Sequence, residues 1–380
     1  MNKSVIDSNS VLLGLLSASL HGAETVFLDG VDLEKVIKEA KNQAVEGIVY
    51  NVISNIPTDE KLKRTSRYVR YFYGQDELVK LFGDNGIPFV VLKGSAAGVY
   101  YPDPSARSYG DIDFLVSPEH LAKAESILES SGYELKSAGD AMPRHICYFK
   151  NGLEYELHFR FSHDDLNLEK YMKAGLENIE SASIDGHVFP MFPKLANGII
   201  LLEHMRNHLR FGMGLRQIID WMMFVENVLD DEFWNSEFGK ICGETGLSTL
   251  AKTVTAMCKK HLGLKGSLTW CDDADERLCD RLIECIISSG NFGRKNGIGR
   301  NVETVTHAFR KEGFFRHLQT AGEYNWKAYH KHPKLKPFCW FYQIFRYIRQ
   351  AFCRGRELPK DLNRGRKRRD LMKDLGIGKT

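Results

Sequence analysis

The segment Val90 to Val116, VVLKGSAAGVYYPDPSARSYGDIDFLV, constrains the fold more than any other part of the chain. Pro88 to Leu92 is a short β-rich run bounded by Pro88 and Gly94, and Asp111 to Val116 is a second strand. Between them, Ser95 to Tyr101 suits one or two helical turns. Pro102-Asp103-Pro104-Ser105 must be irregular, because proline restricts both itself and the residue before it. Side chains alternate along a strand, so Asp111 and Asp113 share one face about 6.6 Å apart, while Ile112 and Phe114 take the other. Two carboxylates so placed can each reach divalent ions about 4 Å apart, as two-metal phosphoryl chemistry requires. Magnesium suits such oxygen ligands and keeps several waters besides one or two carboxylates. Gly94-Ser95, following a strand and opening a helix, exposes backbone N–H groups and a hydroxyl to an anion.

The flanking pattern extends this into a small α/β unit of about 100 residues. Pro118 to Ser131 reads as a helix with Ser117 as cap and Gly132 as stop. His145 to Lys150 and Leu153 to Phe159 read as a hairpin around Asn151-Gly152. Residues 1–85 look helical, with a three- and four-residue apolar spacing over Val31 to Ile53, an Asp32 start, and a similar run over Tyr68 to Phe82. From Pro193 the helical period returns, most clearly over Leu195 to Leu209 and Leu215 to Leu229. The expected class is α+β. A sheet domain over 86–190 follows an N-terminal helical region (1–85) and precedes a helical domain (191–290) and a basic, aromatic C-terminal helical region and tail (291–380).

The motif Gly94-Ser95 with Asp111-Ile112-Asp113-Phe114 resembles that of the nucleotidyltransferase superfamily, whose fold is shared with DNA polymerase β. More narrowly, LKGS…YPDP…R…DIDFLV followed by ELHFR looks like a bacterial branch of nucleotidyltransferases, over about residues 85–225. The resemblance implies transfer of a nucleoside monophosphate, most simply AMP from ATP, to a hydroxyl of a small molecule, protein or RNA. It implies Asp111 and Asp113 as ligands of two magnesium (or manganese) ions, and Gly94 and Ser95 as holders of phosphate oxygens. The family takes a third carboxylate from a later strand, and LEYELHFR offers Glu154 and Glu156 on one face with His158 and Arg160. Glu156, in the Glu-Leu-His triplet, is the favoured metal ligand or base. The alternative is that this face is the solvated side of a hairpin.

Two cations suit a triphosphate and its leaving pyrophosphate: Lys93 beside the Gly94 turn and Arg107 in the loop before Asp111. Their bland readings are a solvated strand end for Lys93 and an ion pair with Asp103 for Arg107. His204 and His208, four apart, share a helix face. That spacing suits zinc, helix packing or the lining of a substrate cleft, but the central glutamate of a zinc-protease helix is absent. Arg216 and Asp220, also four apart, read as a structural pair.

The C-terminus carries a second reading, a catalytically inactive nucleotidyltransferase-like module that binds through its basic end. Phe338 to Phe352 interleaves aromatics with Arg346 and Arg349, and Arg364 to Arg369 (RGRKRR) places five cations in six residues. Residues 353–380 hold ten Lys and Arg against four Asp and Glu, although the whole chain is only +3. Such a stretch over 338–369 can meet RNA phosphates or an anionic surface, pack against helices, or remain a solvated tail. No run of 18 apolar residues is present, which argues against an integral membrane protein. Val11 to Leu20 reads as a buried helix rather than a signal peptide, because Asp7 precedes it and no cleavage context follows. Eight scattered cysteines without a CxxC pair fit free thiols in a reducing, cytoplasmic setting.

Overall fold

Among the described residues, seven strands form a mixed sheet in the order β3-β4-β5-β2-β1-β7-β6. They are β1 (Phe89–Leu92), β2 (Ile112–Val116), β3 (Glu134–Ser137), β4 (His145–Lys150), β5 (Leu153–His158), β6 (Glu180–Ile184) and β7 (His187–Met191). β2 runs parallel to β5 and β1 parallel to β7, and the other neighbours are antiparallel. The structure, a computed structural model, describes residues 7–22, 30–53, 56–137, 145–161, 166–296, 314–353 and 358–377.

Among the described residues up to 230, the α-helices are α1 (Ser8–His21), α2 (Leu33–Asn42), α3 (Glu46–Tyr50), α4 (Thr58–Asp84), α5 (Gly94–Gly98), α6 (Leu121–Ser130), α7 (Leu166–Leu176), α8 (Lys194–Phe211) and α9 (Leu215–Val228). Alternation along the strands gives the sheet two differently covered faces. On one face Val91, Ile112, Phe114, Tyr155 and Leu157 pack against Phe72, Leu78 and Phe82 of α4 and Leu128 of α6. On the other, Val90, Leu92 and Leu115 join a larger core with Ile200 and Met205 of α8 and Ile218, Trp221 and Phe224 of α9. The helices after residue 230, including Ser248–Leu262 and Glu276–Ser289, extend that second core.

Several expectations change in detail. The run Val31 to Ile53 is two helices, because the chain turns at Ala44 (φ 57°). Buried Gln43 drives the break: its side chain donates to Glu39 at 2.9 Å and accepts from the Leu215 N–H at 3.1 Å. α4 starts ten residues before Tyr68, and its first half is too charged and exposed to show an apolar period. The hairpin turn forms at Asn151 and Gly152 with φ 52° and 77°, as two-residue turns of this type demand.

α1 buries Leu12, Leu15, Leu16 and Leu20 and is capped by Asp7, as expected of a core helix. The basic end does not form the solvated tail that composition allowed. Leu358–Asp374 is a helix, and Leu371, Met372, Leu375 and Ile377 are buried in the main core. The helix Cys339–Cys353 stacks Tyr342 on Trp326 but leaves Phe341, Phe345 and Ile348 exposed. The described cysteines are free thiols. No described helix is long and apolar enough to cross a membrane.

Candidate active site

A cleft of about 250 Å³ opens where β1, β2 and β5 meet α8 and α9. Strand register sets its floor. Asp113 is opposite Leu92 on one side and Glu156 on the other, and His158 lies one step on, opposite Leu115. Because β2 and β5 are parallel neighbours, their like-facing side chains lie across about 4.8 Å of sheet. Oxygen and nitrogen atoms of Asp113, Glu156 and His158 all fall within 4.8 Å of one another.

Two nitrogens converge on Asp113 Oδ1: Lys93 Nζ at 2.6 Å and His158 Nε2 at 2.9 Å. His158 Nε2 also lies 3.4 Å from Glu156 Oε2. Burial works against ionising Glu156, but the His158 hydrogen bond and the Lys93 ammonium prevail and hold its carboxyl at about 2. Burial likewise opposes charge on Lys93, yet Asp113, Glu156 and Asp111 keep it above the ordinary lysine value. For His158 too, burial is outweighed by its bonds to Asp113 and Glu156, and its pKa rises. Asp111 sits at the rim, facing the same cleft.

The β1–α5 turn is built for close approach. Lys93 leaves the strand at φ 52°, and Gly94 follows at φ 27°. A Cβ on Gly94 would meet Tyr71 Oη at 2.1 Å, so glycine is required on both counts. Ser95, expected to hold phosphate, instead turns inward. It is fully buried, its hydroxyl donates to Gln75 Oε1 at 2.5 Å, and its N–H donates to Tyr71 Oη at 3.3 Å. Gly94 lines the cleft and Ser95 does not.

Arg107 lines the cleft, but its guanidinium is bound to a partner other than the Asp103 of the ion-pair reading. Its Nε and Nη2 donate to the two carboxylate oxygens of Asp220, each at 2.8 Å, while Nη1 donates to Ser108 O at 3.3 Å. Asp103 pairs with Arg64. Asp220 also accepts from Tyr101 Oη at 2.8 Å, so the expected Arg216–Asp220 pair does not form. Arg216 is freed to face the cleft: Nη1 donates to Ser108 O at 3.2 Å, and Nε is buried without a partner.

His204 and His208 line the opposite wall, their rings edge to face with centroids 4.2 Å apart. Burial, then the charge of Lys93 and Arg216, pushes His208 down to about 3. Burial and the neighbouring His208 push His204 well below its usual value. Both are neutral imidazoles. Among the described residues no third ligand joins them in a metal-ligand cluster. Glu154 points to Lys136 Nζ at 2.6 Å, away from Asp113.

His145, which sequence reasoning missed, lies beside His158 with ring centroids 4.9 Å apart and faces the cleft. The signal was present in the hairpin. A two-residue turn at 151–152 pairs Lys150 with Leu153, and counting back pairs Cys147 with Glu156 and His145 with His158.

The carboxylates of Asp111, Asp113 and Glu156 thus share one cleft with the cations Lys93, Arg107 and Arg216. The model of a family described as uncharacterised nucleotidyltransferases matches residues 29–263, well over half of the chain, and the chain belongs to that family. Among solved structures, it is similar to an antigenic nucleotidyltransferase-like protein from Paracoccidioides brasiliensis. That similarity has 16% identity and a TM-score of 0.33, over 51% of this chain and 92% of the other. No curated protein matches the chain.

Proposed function

We propose that this protein is a metal-dependent nucleotidyltransferase that moves a nucleoside monophosphate, AMP from ATP, onto a hydroxyl of its acceptor. The observation that carries the reading is the position of Asp113 between Glu156 and Lys93, with Asp111 at the rim, on the floor of a cleft walled by Arg216.

The residues present fit a divalent ion. Asp113 and Glu156 offer carboxylate oxygens within reach of one another, and Lys93 and His158 already converge on one Asp113 oxygen. Asp111, Asp113 and Glu156 would hold magnesium or manganese, which when bound neutralises phosphate oxygens and aligns the α-phosphorus for attack. A carboxyl held at about 2 is a weak base at neutral pH, so Glu156 serves as ligand and anchor more readily than as proton acceptor.

Lys93 supplies a charge that can swing from Asp113 to a phosphate oxygen. Arg216 offers its unpartnered Nε to the triphosphate. Arg107, fully bonded to Asp220, positions the loop before Asp111 and lends its field to the cleft. The neutral rings of His204 and His208 provide hydrogen bonds without adding charge. The exposed Phe341, Phe345 and Ile348, flanked by Arg346 and Arg349, support the second reading of an RNA or anionic-surface contact at the C-terminus.

The test is transfer of label from α-labelled ATP in magnesium to a hydroxyl acceptor pool, with wild type and Glu156→Gln compared. Label incorporation lost in Glu156→Gln supports the assignment. Equal incorporation by both proteins overturns it.

A further inference from the structure

A second cationic cavity lies outside the cleft, between the helix Glu276–Ser289 and the basic helix Leu358–Asp374. It has a volume of about 290 Å³, and Arg281, Ser289, Arg364, Lys367 and Arg368 line it. Arg368 is 6% exposed. Its Nη2 donates to Ser289 Oγ at 2.5 Å, and its Nη1 is buried with no hydrogen-bond partner. Two carboxylates also line the cavity. Asp370 is turned to Arg369 at 3.1 Å, and Glu284 stands at the wall. Arg281 is tied outward to Asp374.

A buried guanidinium with an unsatisfied N–H is costly unless an anion completes it. Its planar fork matches the oxygens of a phosphate, and the serine hydroxyl beside it adds a further donor. We infer that this cavity is a binding site for a small phosphate-bearing anion, held by Arg368 and Ser289 with Arg364 and Lys367 at its mouth. The RGRKRR run thus has a structural use: it carries the buried Arg368 and the rim cations of one site. The inference does not depend on the catalytic reading, because no residue of this cavity lines the cleft.

The test is calorimetric titration of the full chain with inorganic phosphate and with pyrophosphate, in EDTA so that metal-dependent binding in the cleft is silent. A phosphorylated small molecule and the free anion share this chemistry, and ADP as a third titrant separates them. Tighter binding of ADP than of pyrophosphate assigns a nucleotide-bearing ligand, and the reverse assigns the free anion. The expected result is one site per chain, weakened about tenfold to a hundredfold in Arg368→Gln. Lys93→Ala should leave it unchanged. Lys367→Gln, at an exposed rim position, should weaken it several-fold even if Arg368→Gln fails to fold. Absence of phosphate, pyrophosphate and ADP binding by wild type overturns the inference. So does unchanged binding in both folded variants, or binding of a short RNA oligomer alone.

Discussion

Asp113 meets both Lys93 and His158 through one oxygen, and its substitution separates chemistry from folding. Asparagine keeps an acceptor for Lys93 and His158 but removes the charge that would hold a divalent ion. Asp113→Asn should therefore reduce transfer by about a hundredfold or more, with a native circular-dichroism spectrum. Gly94 makes an independent prediction at the same scale. Gly94→Ala forces a Cβ onto Tyr71 Oη at an unfavourable φ, and should lower stability by about 1–3 kcal/mol in denaturant titration. Adding Tyr71→Phe removes the clashing oxygen and should recover part of that loss. If Tyr71→Phe recovers none of it, backbone strain rather than the contact dominates.

At the scale of elements, α8 carries two buried imidazoles whose protons are excluded by folding. His208 is neutral in the fold down to about 3, whereas an unfolded histidine protonates near 6.5. The unfolded chain therefore binds more protons below that value. The stability His208 contributes is complete above about pH 6.5 and drains as pH falls toward 3, at up to about 1.4 kcal/mol per pH unit. Denaturant titrations at pH 7, 6 and 5 should show wild type losing more stability than His208→Asn over that interval. Parallel losses would contradict the burial argument.

Elements also show what the sequence made legible. The strands at 89–92, 112–116, 145–150 and 153–158 were visible because β-rich runs there are bounded by proline, glycine or an Asn-Gly turn. β3, β6 and β7 were not anticipated: Glu134–Ser137 and Glu180–Ile184 are polar edge segments with little apolar alternation. Asp111 and Asp113 could be named because strand alternation places them, Glu156 because the resemblance singles it out from Glu154, and Lys93 because it adjoins the Gly94 turn; all four line the cleft. The inward turn of Ser95 could not be read, since it depends on Gln75 and Tyr71 of α4, twenty or more residues away. The exchange that gives Asp220 to Arg107 and frees Arg216 was hidden for the same reason. A pair four apart on a helix lost to a partner more than a hundred residues distant.

For the whole molecule, the Arg107–Asp220 bridge fastens the loop leading to Asp111 onto α9, and so joins the sheet to the helical core. Both side chains are almost wholly buried, at 3% and 2% exposure. Removing one partner leaves an uncompensated buried charge, so Asp220→Ala should cost about 3–5 kcal/mol. The double variant Arg107→Met/Asp220→Leu should be more stable than Asp220→Ala, and a double-mutant cycle in denaturant checks this. Loosening this bridge should also weaken nucleotide binding, because the loop carrying Asp111 is positioned by it.

The most direct test of the central claim is calorimetric binding of ATP, GTP, CTP and UTP, with and without magnesium, by wild type and the Asp111→Ala/Asp113→Ala variant. The expected result is magnesium-dependent binding of ATP that the double variant loses while remaining folded. Wild-type protein that binds no nucleotide in magnesium, or a double variant that binds as well as wild type, would contradict the assignment of this cleft.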